Sequence, residues 1–261
     1  MSQRPDRIAA AHPGKHGDCL YALPAVRALA QLHGCQVDFY TSEYCAPLKR
    51  LFEYQSYISG FYVAPNYVIE RMDMGVQPFY VPVDGSLYSK VYQLGFRRVP
   101  DCSIPDFIGH EAGVTVGAVA YEVPDPKDDF WMTEEEDFIV IAPRGETSYK
   151  ALFQEVIDRS PVPTLIVGGR GDAGPFGGAS DMAGFDYLDT AAIISRAKAF
   201  VGIMSSQLAL ANGFPIPKIV PHDGRSWDMR HPIYSDLHHY LVQPSTDDIL
   251  EIINHALLQE S

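Results

Sequence analysis

Residues 8–30 constrain the fold more than any other stretch of the chain. Ile8-Ala9-Ala10-Ala11 is apolar and free of breakers, which predicts a short buried strand. His12-Pro13-Gly14-Lys15-His16-Gly17 follows as a turn bracketed by two glycines, and Asp18 stands where a helix begins. Leu20, Leu23, Val26 and Leu29 then recur at helical spacing until Gly34 supplies a stop. Strand, glycine turn and helix form the opening unit of a doubly wound α/β domain, so an α/β class with parallel sheets is expected. The turn has no G-x-G-x-x-G fingerprint. It sets a carboxylate at the helix mouth, which repels an anion and suits activation of a neutral hydroxyl. Asp18 also reads as a plain helix cap that accepts bonds from the first free amides.

The first half continues the same rhythm. Residues 36–41 alternate as a strand, Ser42 opens a short helix over 44–52, and 58–64 reads as the next strand. A β-α-β-α-β order predicts a parallel sheet. Between residues 67 and 105 the periodicity blurs, although 87–94 fits a helix. The tyrosines there read either as core packing or as a surface for a sugar-like acceptor. Pro124-Asp125-Pro126 and the acidic residues up to Asp137 mark a solvated linker rather than a metal site, so two domains are expected, 1–128 and 129–261.

Phe138-Ile139-Val140-Ile141-Ala142 is a continuous apolar run, a strand buried on both faces. Ligands bind beyond the carboxyl ends of such strands. Arg144 and Lys150 in the loop that follows read either as groups that reach phosphate oxygens, with Thr147 and Ser148 as hydroxyl donors, or as plain surface charges. A helix over 151–159, a strand over 164–169 ending in Gly168-Gly169, and a helix over 190–197 capped by Asp189 come next. Gly168 and Gly169 read either as a close approach for a nucleotide or as a plain turn. A strand at 199–203 turns through Met204-Ser205-Ser206 into a helix over 207–212. A strand over 216–220 and a terminal helix over 249–258 complete the chain. Ser205 and Ser206 read as a phosphate cradle or as ordinary caps. His238 and His239 are adjacent on an extended stretch and point opposite ways, so no metal site is read there.

Composition narrows the function. A net charge of −13 over 261 residues argues against non-specific binding of nucleic acid or anionic membrane. Cys19, Cys35, Cys45 and Cys102 show no C-x-x-C spacing and read as reduced thiols of a cytoplasmic protein. The N-terminus carries no apolar signal core, and no integral membrane segment is expected.

The run Gly14-Lys15-His16-Gly17-Asp18, followed by Pro24-Ala25 and Ala28-Leu29, resembles the N-terminal signature of the ADP-heptose:lipopolysaccharide heptosyltransferases (glycosyltransferase family 9). A second likeness lies in Val201-Gly202, Ser205, Leu210-Ala211, Gly213 and Pro215, with Met204, Ser206 and Ala209 standing where the family has aspartate, glycine and histidine. The resemblance implies the GT-B fold, two Rossmann-like domains facing a cleft, with acceptor in the first and nucleotide sugar in the second. It implies metal-independent inverting transfer with Asp18 as catalytic base and acceptor contacts from His12, Gly14, Lys15, His16 and Gly17. Donor contacts fall to Arg144, Thr147, Ser148, Lys150, Gly168, Gly169, Ser205, Ser206, His222 and Arg225. No cofactor is implied, because the nucleoside-diphosphate sugar is itself the donor substrate. Acceptors other than lipopolysaccharide, such as a modified nucleobase, stay open, as does a non-catalytic nucleotide-sugar-binding protein, because of Met204 and Ala209.

Overall fold

A computed structural model describes residues 7–64, 80–96, 100–124, 137–143, 149–224, 233 and 235–258. These fall into two compact units, 7–122 and 123–258. Among them no helix is long and apolar enough to cross a membrane.

The first unit runs β1 (Ile8–His12), α1 (His16–His33), β2 (Val37–Ser42), a 3₁₀ turn (Glu43–Leu48), α2 (Lys49–Tyr54), β3 (Ile58–Ala64), β4 (Lys90–Gln93) and α3 (Ile104–Ala112). Its sheet has the order β3-β2-β1-β4, with every pairing parallel. Every residue of β1 is buried, which explains an apolar strand with no polar alternation. Helix α1 carries Pro24 in its interior, so Leu20 loses the amide that would meet its carbonyl. The buried Tyr121 hydroxyl replaces it, donating to the Leu20 carbonyl at 3.4 Å. The helix ends at Gly34, whose φ of 64° lets its amide reach back to Ala30 and Gln31.

Two expectations are corrected here. Residues 87–94 do not form a helix: Lys90–Gln93 is β4, paired in register from Ile8↔Lys90 to Ala11↔Gln93. The free side of β1 accepts a strand, and that pairing outweighs the weak local helical pattern. The helix over 44–52 is two pieces, a 3₁₀ turn that contains Pro47 and then α2. Ser42 occupies the cap position of that turn, but its side chain makes no cap bond.

A buried carboxylate ties this sheet together. Asp38 on β2 accepts from Arg7 ahead of β1, from Ser59 Oγ on β3 at 2.5 Å, and from the Tyr88 hydroxyl ahead of β4 at 2.9 Å. Tyr40 donates in turn to Tyr88 at 2.8 Å.

The second unit runs β5 (Ile139–Ala142), α4 (Lys150–Arg159), β6 (Thr164–Ile166), β7 (Ser180–Asp181), α5 (Tyr187–Arg196), β8 (Ala199–Gly202), α6 (Ser206–Ala211), β9 (Lys218–His222), β10 (His238–Val242) and α7 (Thr246–Leu258). The strands are again all parallel, in the order β10-β9-β8-β5-β6-β7. Ile139, Ile141, Val201 and Ile219 on the sheet pack with Phe153 and Val156 of α4 and Ile249 and Ile253 of α7. Asp186, not Asp189, caps α5, accepting from the amides of Leu188 and Asp189. Strand β9 begins at Lys218, two residues later than the apolar pattern implies, and Lys218 is buried. The Lys218 ammonium donates to the Phe214 carbonyl at 2.5 Å, and burial lowers its pKa to about 8.

Asp38→Ala leaves the Tyr88 and Ser59 hydroxyls without their acceptor inside the sheet edge. The expected loss is about 3 kcal/mol of stability, read as a lower urea midpoint at unchanged m-value.

Candidate functional site

In each sheet the chain starts inside and builds outward in both directions. The first sheet grows from β1 to β2 and β3 on one side and places β4 on the other. The second grows from β5 to β6 and β7, then returns with β8, β9 and β10 on the opposite side. The strand order therefore reverses between β1 and β4 and between β5 and β8, and parallel α/β sheets bind ligands at the carboxyl edge of such a reversal. The segments after β1, β6 and β8, the end of β9 and the entry to α4 hold the described residues singled out by sequence.

In the first unit the turn after β1 is tightly held. His12 is wholly buried, and its Nδ1 accepts the Gly14 amide at 2.9 Å. The Gly14 carbonyl accepts from Cys45 Sγ at 3.2 Å. Cys19 Sγ lies 3.6 Å from Cys45 Sγ and 3.4 Å from Thr41 Oγ1, and burial pushes the Cys19 thiol up. Lys15 is the N-cap residue of α1, so Asp18 stands at the third helical position rather than at the cap. Asp18 Oδ2 accepts the Lys15 amide at 2.9 Å. Burial raises the Asp18 carboxyl above its ordinary value of 3.8, while the Lys15 amide and the Lys15 charge pull the other way. A carboxylate so placed holds a proton more readily than a solvated one. The residue as a whole is half-buried.

The residues expected to meet an acceptor divide into two kinds. Lys15 is exposed, and His16 and Gly17 are half-buried in the first turn of α1. His12 and Gly14 are buried, and a hydrogen bond between them shapes the turn. Burial lowers the His12 pKa to about 3, so the ring stays neutral at working pH. Sequence reasoning missed Tyr44. Its ring stacks on His16 at 4.6 Å while its carbonyl lies 2.8 Å from His16 Nε2, which sets an exposed aromatic ring beside the start of α1. No local motif marks it, because the contact joins positions 28 residues apart.

In the second unit Lys150 is exposed at the start of α4, and Ser205 and Ser206 open α6. Ser205 Oγ accepts the Leu208 amide at 3.4 Å, a long cap bond. Ser206 Oγ lies 3.0 Å from the Tyr187 hydroxyl and donates to Gln207 Oε1 at 3.2 Å, so Tyr187 joins this polar group without a sequence signal. The amide of Gly169 is engaged by Asp172 Oδ2 at 2.8 Å. A Cβ at Gly168 would stand 2.3 Å from that same oxygen, so the glycine is needed for the turn itself. His222 is buried at the end of β9, its Nδ1 accepting the Gly224 amide at 3.0 Å. Ala209 is wholly buried in α6, so a methyl group fills the place of the expected histidine. Arg144, Thr147, Ser148 and Arg225 lie outside the described residues.

No protein-family model matches the sequence, and no curated protein sequence matches it either. Solved structures do match in fold. A glycosyltransferase family 9 structure from Veillonella parvula superposes with a TM-score of 0.71 at 13% identity, over 100% of this chain and 99% of that one. The E. coli heptosyltransferase WaaC with ADP-2-deoxy-2-fluoro heptose gives 0.60 at 10% identity, over 95% and 99% of the two chains. The E. coli ADP-heptose lipopolysaccharide heptosyltransferase II gives 0.60 at 15% identity, over 97% and 99%. The two parallel α/β units of this chain therefore have the GT-B fold of these heptosyltransferases, along the whole described length.

Proposed function

We propose that the chain is a glycosyltransferase that moves a sugar from a nucleoside-diphosphate sugar to an acceptor hydroxyl by metal-independent inverting transfer. The observation that carries this reading is Asp18, a half-buried residue whose carboxyl has a raised pKa, at the strand reversal of the first unit. In the reaction Asp18 takes the proton of the acceptor hydroxyl, the oxygen bonds to the anomeric carbon, and the bond from that carbon to the diphosphate oxygen breaks. The nucleoside diphosphate leaves with the electron pair. Lys15, His16, Gly17 and the Tyr44 face receive the acceptor. Lys150, Ser205, Ser206 and His222 receive the donor, together with Gly168, Gly169, Arg144, Thr147, Ser148 and Arg225 from the sequence reading, and cationic side chains offset the departing charge. The heptosyltransferases of the same fold are described with ADP and with an ADP-heptose analogue, which supports a nucleotide sugar as donor.

A second reading, a nucleotide-sugar-binding protein without turnover, draws on Met204 and the buried Ala209 in place of the family's aspartate and histidine. The two readings part on one measurement. A wild-type chain whose melting is raised by nucleotide sugars, but which neither hydrolyses nor transfers them, is a binder.

Melting is expected to rise with at least one of ADP-heptose, UDP-glucose and GDP-mannose at millimolar concentration. No shift with any nucleotide or nucleotide sugar sinks the donor site. Asp18→Asn keeps an oxygen for the Lys15 amide and removes the base. Its rate is expected to fall by about 100-fold or more while the melting shift with nucleotide sugar persists.

The raised carboxyl also sets a pH signature. A base works ionised, so the wild-type rate falls on acidification at a pH above the ordinary value of 3.8. For stability the sign is opposite. The folded carboxyl binds its proton more tightly than the unfolded one, so ionising it costs stability above the folded pKa and nothing below the unfolded pKa. Asp18→Asn is expected to be more stable than wild type at pH 7, with the gap closing toward 3.8 in urea titrations at stepped pH.

A further inference from the structure

The turn that leads to Asp18 rests on a buried ring whose hydrogen-bonding capacity is only half used. His12 is wholly buried, yet its Nε2 has no partner among the described residues. The ring packs edge-on against Phe96 at 5.5 Å, a contact an apolar side chain also makes without burying an unpaired polar atom. Its Nδ1 does one thing: it accepts the Gly14 amide at 2.9 Å. The next amide along the chain, that of Lys15, is the one that Asp18 Oδ2 accepts at 2.9 Å. Two consecutive amides thus link the imidazole to the carboxylate. The same pair flanks one Cα, since a Cβ on Gly14 would stand 2.6 Å from His12 Cε1, 2.6 Å from Asp18 Cβ and 2.8 Å from Asp18 Oδ2. Cys45 holds the carbonyl of the same glycine, so the peptide groups on both sides of Gly14 are fixed.

We propose that His12 is a positioning residue for Asp18, holding through the Gly14 amide the turn that aims the carboxylate. The inference rests on the reading of Asp18 as base for its consequence in the reaction, but the mechanical link stands apart from it. An acceptor that binds an amide two residues on is the geometry of an asparagine side-chain turn, so asparagine replaces the Nδ1 function where leucine does not. Depressed basicity of the buried ring keeps Nδ1 available as an acceptor. The titratable groups around Asp18 are His12 on β1, Lys15 and His16 in the turn, Cys19 on α1 and Cys45 on the 3₁₀ turn.

The test uses the full chain as wild type, His12→Leu, His12→Ala and His12→Asn. The Asp18 carboxyl is titrated by carbon NMR, its signal assigned by its loss in Asp18→Asn, and turnover of ADP-heptose is measured alongside. In His12→Leu the freed turn lets the Lys15 amide slip from the carboxylate, so the Asp18 titration moves upward by about half a pH unit or more. The kcat falls by about 10- to 100-fold with the donor KM unchanged. His12→Asn restores both. A folded His12→Leu with wild-type titration overturns the proposal, as does equal displacement in His12→Leu and His12→Asn, which marks a packing effect. Where His12→Leu does not fold, His12→Ala takes its place, and a wild-type titration in it overturns the proposal. A wild-type chain inert toward ADP-heptose counts against the transferase reading for that donor, while the carboxyl titration still decides the role of His12.

Discussion

A parallel strand hands its chain to the carboxyl edge of the sheet, and β1 has to leave that edge and enter a helix within three residues. Gly14 makes this possible. Its amide goes to His12, its carbonyl to Cys45, and the space a side chain needs is taken by His12 and Asp18. With Gly14 fixed, Lys15 falls at the N-cap and Asp18 at the third helical position, where its carboxylate closes over the Lys15 amide. The direction of α1 follows, and with it the burial of Leu20, Leu23, Val26 and Leu29. A polar turn thereby places both the hydrophobic face of the first helix and the candidate base.

The second unit repeats the device. His222 ends β9 as His12 ends β1, and its Nδ1 accepts the amide of a glycine two residues on, here Gly224 with φ of 80°. Amides just past the end of a parallel strand have lost their sheet partners, so an acceptor on the last strand residue is favoured. Asparagine and aspartate do this commonly. Histidine does it only while Nδ1 is unprotonated, and the accepted bond fixes the proton on Nε2. The two turns differ beyond that bond. At Gly14 the constraint is steric, at an ordinary φ, whereas at Gly224 it is the left-handed backbone.

Much of this architecture is visible in the amino-acid order, and the exceptions share a cause. The strand at 8–11, the stop at Gly34 and the buried strand at 139–142 are local: each depends on composition or on a single φ, so the letters suffice. Strand β4 is not local. Its four residues have weak preferences, and β1 decides their state by offering an unpaired side. The α5 cap is a near miss of another kind, since Asp186 and Asp189 both suit a helix start and only the path of the chain chooses between them. Tyr44 and Tyr187 entered the candidate sites through contacts across 28 and 19 residues, which no motif records. His12-Pro13-Gly14 and His222-Asp223-Gly224 were in plain view as H-x-G, but the spacing gains meaning only once both histidines are known to end strands.

The donor side follows a different economy from the phosphate loops of dinucleotide enzymes. There, successive glycine amides and a long helix face the anion. Here the Gly169 amide is already committed to Asp172, and α6 is six residues long, too short to sum much of a dipole at its mouth. On the proposed reading a diphosphate at this edge is therefore recognised mainly by side chains: hydroxyls of Ser205, Ser206 and Tyr187, and the charge of Lys150. In a chain of net charge −13 those few cations work against the surrounding field. Removing Lys150 then weakens the hold on an anionic donor more than removing either serine does, because a hydroxyl is replaced by water and a charge is not.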